Sequence, residues 1–122
     1  MIDRRKFPRF FTKIKAHFPG DSQGYPVENV SWKGLFIKTD KPFSPEKRFI
    51  FFELELPEIG KIPVYGYIVH FGTPEEPGLG IEIVEIDKNL TPVWGLYIKA
   101  LNFIQEAKEE YERITREFTK QE

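Results

Sequence analysis

Two short groups of residues in the sequence could bind a ligand. Near the N-terminus, Arg4 and Arg5 are followed by Arg9, and guanidinium groups are planar donors suited to phosphate oxygens and to the O6/N7 edge of guanine. Further along, the segment from Asn29 to Gly34 (NVSWKG) places an amide, a hydroxyl and a glycine at its first, third and sixth positions. The amide and the hydroxyl can exchange hydrogen bonds with a ligand, and the glycine permits close approach of its backbone. Together the two groups predict a pocket for an anionic ligand with hydrogen-bonding edges.

Each group also has an ordinary structural interpretation. A short basic cluster is commonly a solvated tail, and Asn29 and Ser31 are residue types that bond to nearby backbone in many hairpin turns. The Phe-Pro pair between Arg5 and Arg9 disfavours a helix. The arginines therefore lie on an extended arm that could wrap a ligand, and the combination of both groups carries the prediction.

Composition limits the possible classes of function. A chain of 122 residues with 40% hydrophobic residues fits one globular domain. The net charge of −1 gives no support for a general polyanion-binding role, so DNA is not an expected partner. The absence of cysteine excludes disulfides and thiolate metal sites. No apolar run resembles a signal peptide or reaches the length of a membrane span, so we expect a cytoplasmic protein without membrane insertion.

The sequence contains few features that are typical of an enzyme. The two histidines, His17 and His70, fall on different predicted strands, and no HExxH, Walker or dinucleotide-binding motif is present. Glu53 and Glu55 share a strand face and could imitate a carboxylate pair, but charged strand residues are usually part of a solvated outer face. We therefore predict no catalytic residue, no metal site and no cofactor.

The hydrophobic pattern predicts a mainly β protein of six strands followed by one long helix. The strands are predicted at residues 12–18, 25–30, 34–39, 49–56, 62–71 and 79–86. Gly66, inside the fifth of these, indicates a bend or a bulge. Short and regular spacing favours a closed antiparallel barrel, because closure removes exposed edges. The segment from Asn29 to Gly34 then lies at the tip of a hairpin.

The helix is predicted from residue 91 to the C-terminus, because Thr91 can cap it and a proline follows at its first position. We expect its first half to pack on the barrel mouth through Trp94 and Tyr97. The second half keeps an apolar seam that predicts self-association or a protein partner: Ala107, Tyr111, Ile114 and Phe118. The chain is thus divided into a basic arm at 1–11, a barrel at 12–90 and a helix at 91–122.

The two motifs, together with the glycine-led segment GLGIEI at 78–83, make the chain resemble the PilZ domain family. That family binds cyclic di-GMP through a six-stranded antiparallel barrel with a helix after the last strand. The resemblance implies that the arginines grip phosphates and guanines, that the Asn-x-Ser-x-x-Gly residues line the other side, and that His70 occupies a position where the family often has an aromatic residue beside a guanine. The ligand-binding residues implied in this way are Arg4, Arg5, Arg9, Asn29, Ser31, Gly34 and His70. Asn29 stands where the family often has aspartate, which implies a lower affinity.

The primary hypothesis is a cyclic di-GMP receptor whose arm folds over the ligand and relays the signal to an unidentified protein partner by conformational change. An alternative is a PilZ-fold interaction module that works without nucleotide through the C-terminal helix. A third possibility, a barrel that binds single-stranded nucleic acid, is suggested by basic and aromatic residues together. It ranks last because the chain is nearly neutral.

Overall fold

The computed structural model describes residues 10–11 and 14–120 of the chain. Within these residues it contains seven β-segments and one helix. They are β1 (Phe10–Phe11), β2 (Lys15–His17), β3 (Gly24–Val30), β4 (Gly34–Lys38), β5 (Phe49–Leu56), β6 (Gly60–Phe71), β7 (Gly78–Ile86) and α1 (Thr91–Lys120).

The β-segments form a closed antiparallel barrel. The order of pairing runs from β1 through β3, β2, β5, β6 and β7 to β4, and a further pairing of β4 with β3 closes the sheet. On β3, Val30 is aligned with Leu35 of β4 on one edge and with Phe10 of β1 on the other. Because β1 and β2 share that second edge of β3, they are two segments of one strand. The predicted six-stranded antiparallel barrel followed by a helix is therefore confirmed.

The first strand differs from its predicted form. It was expected as one run over residues 12–18, but it begins at Phe10, and Lys15–His17 forms a separate segment. Phe10 is paired with Val30, and Lys15 is paired with Pro26. The two pairs are thus five residues apart on the first strand but four residues apart on β3. The register on β3 therefore differs by one residue between the two segments. The hydrophobic alternation of the sequence does not indicate this change of register.

The barrel core follows the predicted alternation. Phe52, Leu54 and Leu56 of β5 are buried, whereas Phe49 on the same strand is 75% exposed. The bulge expected at Gly66 is present, since the register of β6 on β7 shifts between Tyr65 and Gly66. A Cβ atom at Gly66 would lie 2.5 Å from Cγ2 of Ile81, so only glycine fits this crossing.

The helix begins at the predicted residue but by a different mechanism. The hydroxyl of Thr91 donates backwards to the carbonyls of Ile86 and Asp87, at 3.2 and 3.1 Å, so it does not cap the helix amides. The chain enters the helix through a turn, in which the Leu90 amide donates to the Asp87 carbonyl over 2.8 Å. The cap predicted at Thr91 was therefore wrong, because the preceding turn brings carbonyl acceptors to its hydroxyl.

The first half of α1 packs on the barrel, as predicted. Trp94 is 1% exposed and belongs to the core, and Tyr97, Ile98 and Leu101 are partly buried against it. From Phe103 to Thr119 every side chain is exposed. Across the residues that the structure describes, no helix combines the length and the apolar character that a membrane span requires.

A polar cluster ties the turn after β2 to the loop after β4. The carboxylate of Asp21 accepts hydrogen bonds from the Tyr25 hydroxyl at 2.6 Å, the Lys41 ammonium at 2.9 Å and the Gln23 amide at 2.9 Å. These hydrogen bonds, first that of Tyr25 and then that of Lys41, hold the pKa of Asp21 well below its usual range. The same bonds raise the pKa values of Tyr25 and Lys41. The cluster lies outside the predicted ligand site and has a structural role.

Candidate ligand-binding site

The turn between β3 and β4 is closed by Ser31. Its amide donates to the carbonyl of Gly34 over 2.8 Å, and its hydroxyl accepts from the Gly34 amide over 3.0 Å. The same hydroxyl lies 3.3 Å from the Gly34 carbonyl, to which it donates. Ser31 is only 5% exposed, so in this structure its hydroxyl holds the shape of the turn. The predicted Asn-x-Ser-x-x-Gly motif is a hairpin tip, as expected from the sequence.

Asn29 lies on the outer face of the barrel just before this turn. Its neighbour Val30 is fully buried, and Val27 is 1% exposed, so the side chain of Asn29 points the other way. The register of β3 on β4 shifts between Val27 and Asn29, which makes Glu28 the extra residue of a bulge. The side-chain amide of Asn29 makes no hydrogen bond to any other residue that the structure describes.

The barrel aligns Asn29 with His70 in one row across four strands. Asn29 is opposite Phe36 on β4, Phe36 is opposite Gly80 on β7, and Gly80 is opposite His70 on β6. Leu35, Ile37, Leu79 and Ile81, which alternate with the members of the row, are all buried. Since adjacent strands are about 4.8 Å apart, the two ends of the row are about 14 Å apart. We call this row, with Gly78, the ligand face.

The middle of the ligand face consists of the Phe36 ring and of two glycines, Gly78 and Gly80. A Cβ atom at Gly78 would lie 2.5 Å from the ring of Phe36, which therefore covers this glycine. A Cβ atom at Gly80 would lie 3.1 Å from Cβ of His70. Gly80 therefore leaves a strip of bare backbone between the side chains of Phe36 and His70. Phe36 was not among the predicted site residues, although an aromatic residue between two buried apolar residues of one strand indicates an outward-facing ring.

The chain enters the barrel beside the ligand face. Phe11 is aligned with Asn29, and Phe10 with Val30. The three predicted arginines, Arg4, Arg5 and Arg9, lie outside the described residues, and their role in binding stays a prediction.

The turn is also fixed to the helix. The indole Nε1 of Trp94 donates to the carbonyl of Trp32 over 3.1 Å, and a Cβ atom at Gly95 would lie 3.1 Å from Cζ3 of the Trp32 ring. The amide of Ile83 on β7 donates to the carbonyl of Lys33 over 2.7 Å. Each of the three residues between β3 and β4 therefore has a partner, and we call the contacts of Trp32 with α1 the turn–helix clamp.

Sequence reasoning missed the turn–helix clamp. A tryptophan in a three-residue turn and a glycine inside a helix both depart from local propensity, and these two departures were the available signal. Trp32 and Trp94 also line a cleft of about 220 Å³ together with Ile83 and Thr91.

The carboxylates considered for catalysis are part of the barrel wall. Glu55 Oε1 lies 2.7 Å from Nε2 of His17 on the neighbouring strand. Glu53 is half-buried and aligned with His17 in the β2–β5 ladder. Within residues 10–11 and 14–120, no group of three or more His, Cys, Asp or Glu side chains is placed to hold a metal ion.

A closed six-stranded barrel with an open outer face and a helix fixed to its hairpin tip defines a small β-barrel binding module. The family model of the PilZ domain matches residues 3–91, and the chain belongs to that family. PilZ domains are binding and effector modules, not enzymes. No curated protein sequence matches the chain significantly.

Solved structures with this fold include two bacterial proteins. The Bacillus subtilis inhibitor of motility, MotI/DgrA, superposes with a TM-score of 0.68 at 18% identity, covering 88% of this chain and 53% of that one. The PilZ domain of Escherichia coli YcgR with c-di-GMP gives 0.61 at 12% identity, covering 90% and 98%. The YcgR structure in complex with c-di-GMP gives 0.65 at 13% identity, covering 93% and 51%. The chain thus spans about half the length of MotI/DgrA and of the longer YcgR chain. Because the sequence identities are below 20%, the similarity shows a shared fold and nothing more.

Proposed function

We propose that this protein is a receptor for cyclic di-GMP that works in the bacterial cytoplasm and needs no other cofactor. The observation that carries the proposal is the ligand face, where Asn29, the Phe36 ring, the bare backbone of Gly80 and the exposed ring of His70 lie in one row. A PilZ domain of the same fold, that of YcgR, has been solved with this dinucleotide. The ligand offers planar guanines for this row and phosphates for a basic arm.

Each part of the site has a chemical role in this proposal. The arm grips the phosphates and the guanine O6/N7 edges with bidentate guanidinium contacts. The amide of Asn29 exchanges hydrogen bonds with a guanine edge, and the ring of His70 lies against a base. Ser31 and Gly34 keep the turn in the shape that presents Asn29. The residues proposed for the site are Arg4, Arg5, Arg9, Asn29, Ser31, Gly34 and His70.

The turn–helix clamp supports a route for relaying the signal. A ligand bound at Asn29 would displace the adjacent β3–β4 turn. In this turn the carbonyl of Trp32 accepts a hydrogen bond from Trp94, and the Trp32 ring packs on Gly95. A shift of the turn therefore moves the start of α1. The helix in turn changes the surface that is shown to an unidentified protein partner.

Titration calorimetry of the full chain with cyclic di-GMP tests the proposal. We expect saturable binding with a Kd of tens of micromolar or tighter. Arg5→Ala and Arg9→Ala each remove one bidentate contact and should weaken binding about ten- to a hundredfold, for a loss of roughly 1–3 kcal/mol. Arg116→Ala removes an exposed arginine of α1 and serves as the matched control.

Two results would overturn the proposal. One is the absence of saturable heat at ligand concentrations well above tens of micromolar, on the scale of the affinity expected above. The other is an Arg5→Ala variant that binds as well as Arg116→Ala, because the arm would then have no part in binding.

A second candidate is an interaction module that works without nucleotide through α1. The observation in its favour is the exposure of large apolar side chains on the second half of the helix, among them Tyr111, Ile114 and Phe118. This candidate is favoured by two results together. Calorimetry detects no binding of cyclic di-GMP, and a protein that the full chain captures is no longer captured by the Tyr111→Lys variant. Equal capture by the wild type and by this variant counts against it.

A further inference from the structure

A continuous apolar stripe runs along the exposed side of α1. Its large members are mostly uncovered: Leu96 is 66% exposed, Phe103 70%, Tyr111 71%, Ile114 42% and Phe118 72%. The stripe includes no charged side chain. Its members in chain order are Leu96, Ala100, Phe103, Ala107, Tyr111, Ile114 and Phe118.

The spacing in the stripe has a period of eleven residues. Leu96, Ala107 and Phe118 recur at this interval, as do Ala100 and Tyr111, and Phe103 and Ile114. Eleven residues make three turns at 3.67 residues per turn, close to the 3.6 of a straight helix. The stripe therefore stays on one side of α1 over a length of about 33 Å. A helix that only needed to cover the barrel would not require it.

The stripe faces away from the barrel. The side chains of α1 that contact the core are Trp94, Tyr97, Ile98 and Leu101. At 100° per residue, the stripe lies about 130° round the helix axis from these residues. A second helix can therefore lie along the stripe without displacing the barrel of its own chain.

The area of the stripe is sufficient for a stable contact. An aromatic side chain can bury about 150–250 Å², so the exposed parts of Phe103, Tyr111 and Phe118 amount to about 300–500 Å² per copy. Two copies therefore cover about 600–1,000 Å² through these rings alone. Leu96, Ile114 and the adjacent Ile104, 64% exposed, bring the total above the roughly 1,000 Å² expected of a specific interface.

The charges beside the stripe favour a parallel arrangement. One flank carries Lys99, Glu106, Glu110 and Glu117, and the other carries Lys108. Arg113 of the same helix already pairs with Glu110 and Glu117, which leaves Glu106 for a second copy. In a parallel pair opposite flanks meet, so Glu106 of one copy approaches the second copy's Lys108. In an antiparallel pair like flanks meet, and the two Lys108 side chains would face each other near the middle of the stripe.

We propose that the stripe is a self-association surface through which two copies of the chain pair as parallel helices. The stripe and the ligand face share no residue, so pairing leaves the ligand face uncovered. The partner is a second copy of this chain, since the flank charges complement one another in a parallel pair and the exposed area is sufficient for a specific contact.

Sedimentation equilibrium of the full chain tests the pairing directly. We expect twice the mass of one chain at micromolar concentration, a shift to single-chain mass on Ile114→Lys, and no shift on Gln105→Lys. Gln105 is the matched control because it is exposed and lies nine residues, or two and a half turns, before Ile114 on the opposite side of the helix. Far-UV circular dichroism checks that both variants keep the helix. A wild-type chain of single mass at 100 µM, or equal masses for the two variants, overturns the proposal.

Disulfide cross-linking tests the parallel arrangement. Because the chain contains no cysteine of its own, any disulfide formed must involve the introduced residue. In a parallel pair the same positions of the two stripes meet, so Ala100→Cys should give a disulfide-linked dimer under mild oxidation. Gln105→Cys should not. In an antiparallel pair position 100 would meet a residue near the far end of the stripe, so a wild-type dimer in which Ala100→Cys fails to cross-link contradicts the parallel arrangement.

Discussion

The indole of Trp94, in the first turn of the helix, donates a hydrogen bond to the carbonyl of Trp32, in the turn that closes the ligand face, over 3.1 Å. The two residues are 62 positions apart in the chain. One of them is fully buried in the core and the other is half-buried. This bond joins the part of the molecule that would sense a ligand to the part that would present a change to a partner.

Trp94→Phe should lower the free energy of unfolding by about 2–4 kcal/mol. The change leaves the Trp32 carbonyl without its donor and opens a cavity beside the core. Urea denaturation followed by circular dichroism measures the loss. Arg116→Ala, at an exposed position of the same helix on the side opposite the stripe, is the control and should change the free energy of unfolding by less than about 0.5 kcal/mol. Equal stability of wild type and Trp94→Phe would contradict the assigned contact.

Gly95→Ala tests whether the turn and the helix are coupled. The new methyl group would lie 3.1 Å from the Trp32 ring and must displace it, whereas alanine favours the helix by up to about 1 kcal/mol. We therefore expect a folded protein with little loss of stability and with cyclic di-GMP affinity lowered several-fold. Lys99→Ala, one turn along, should bind as the wild type does. A Gly95→Ala variant with unchanged affinity would argue against a relay through Trp32.

The two glycines of the ligand face should respond differently to alanine. At Gly78 a Cβ atom would lie 2.5 Å from both the Ile37 carbonyl oxygen and the Phe36 ring, so Gly78→Ala should cost about 1–3 kcal/mol of stability. At Gly80 the three nearest heavy atoms of the described residues all belong to His70, the first at 3.1 Å. Gly80→Ala should fold normally and weaken ligand binding, because it covers the strip of bare backbone. Thermal denaturation and calorimetry on both variants separate these effects.

Asn29→Asp should strengthen binding of cyclic di-GMP by about fivefold. A carboxylate accepts from the guanine N1 and N2 donors with a charge-assisted bond, worth about 1 kcal/mol more than the bond of a neutral amide. Calorimetry at constant ionic strength measures the change. Asn29→Ala is the companion variant and should weaken binding. A weaker Asn29→Asp complex would mean that this position faces a phosphate.

The Asp21 cluster predicts a dependence of stability on pH. Because the pKa of Asp21 is lowered in the folded state, its carboxylate stabilises the fold above the unfolded pKa of about 3.9. This contribution is lost as the pH falls through the folded value. Asp21→Asn should therefore be less stable than the wild type at pH 7, and the difference should shrink at pH 3. Urea denaturation at both pH values measures it, with Asp40→Asn as a control carboxyl that forms no ion pair with a described residue.

The sequence was sufficient where structure follows from local periodicity. The alternation in β5 predicted which of its residues are buried, and the isolated glycine at Gly66 predicted a bulge, because both signals act within a few residues. The start of the helix was also predictable. The direction of the Thr91 hydroxyl was not, since it depends on the carbonyls of the turn that comes before it.

Contacts between distant residues were beyond sequence reasoning. The change of register between Phe10–Phe11 and Lys15–His17 leaves no mark on the hydrophobic pattern, so the first strand was predicted as one run. The bond of Trp94 to Trp32 and the alignment of Asn29 with His70 arise only when the barrel closes. A family resemblance placed Asn29 and His70 in one site, but the surface between them depends on which side of two strands Phe36 and Gly80 occupy.

The turn–helix clamp has a thermodynamic consequence for any partner of the helix. Coupling between two sites is reciprocal in binding free energy: if the nucleotide changes the affinity of α1 for a protein by some factor, that protein changes the affinity for the nucleotide by the same factor. A partner that prefers one position of Trp94 would therefore set the nucleotide concentration at which the receptor responds. Sensitivity would then be a property of the complex, adjusted from the helix end of the molecule.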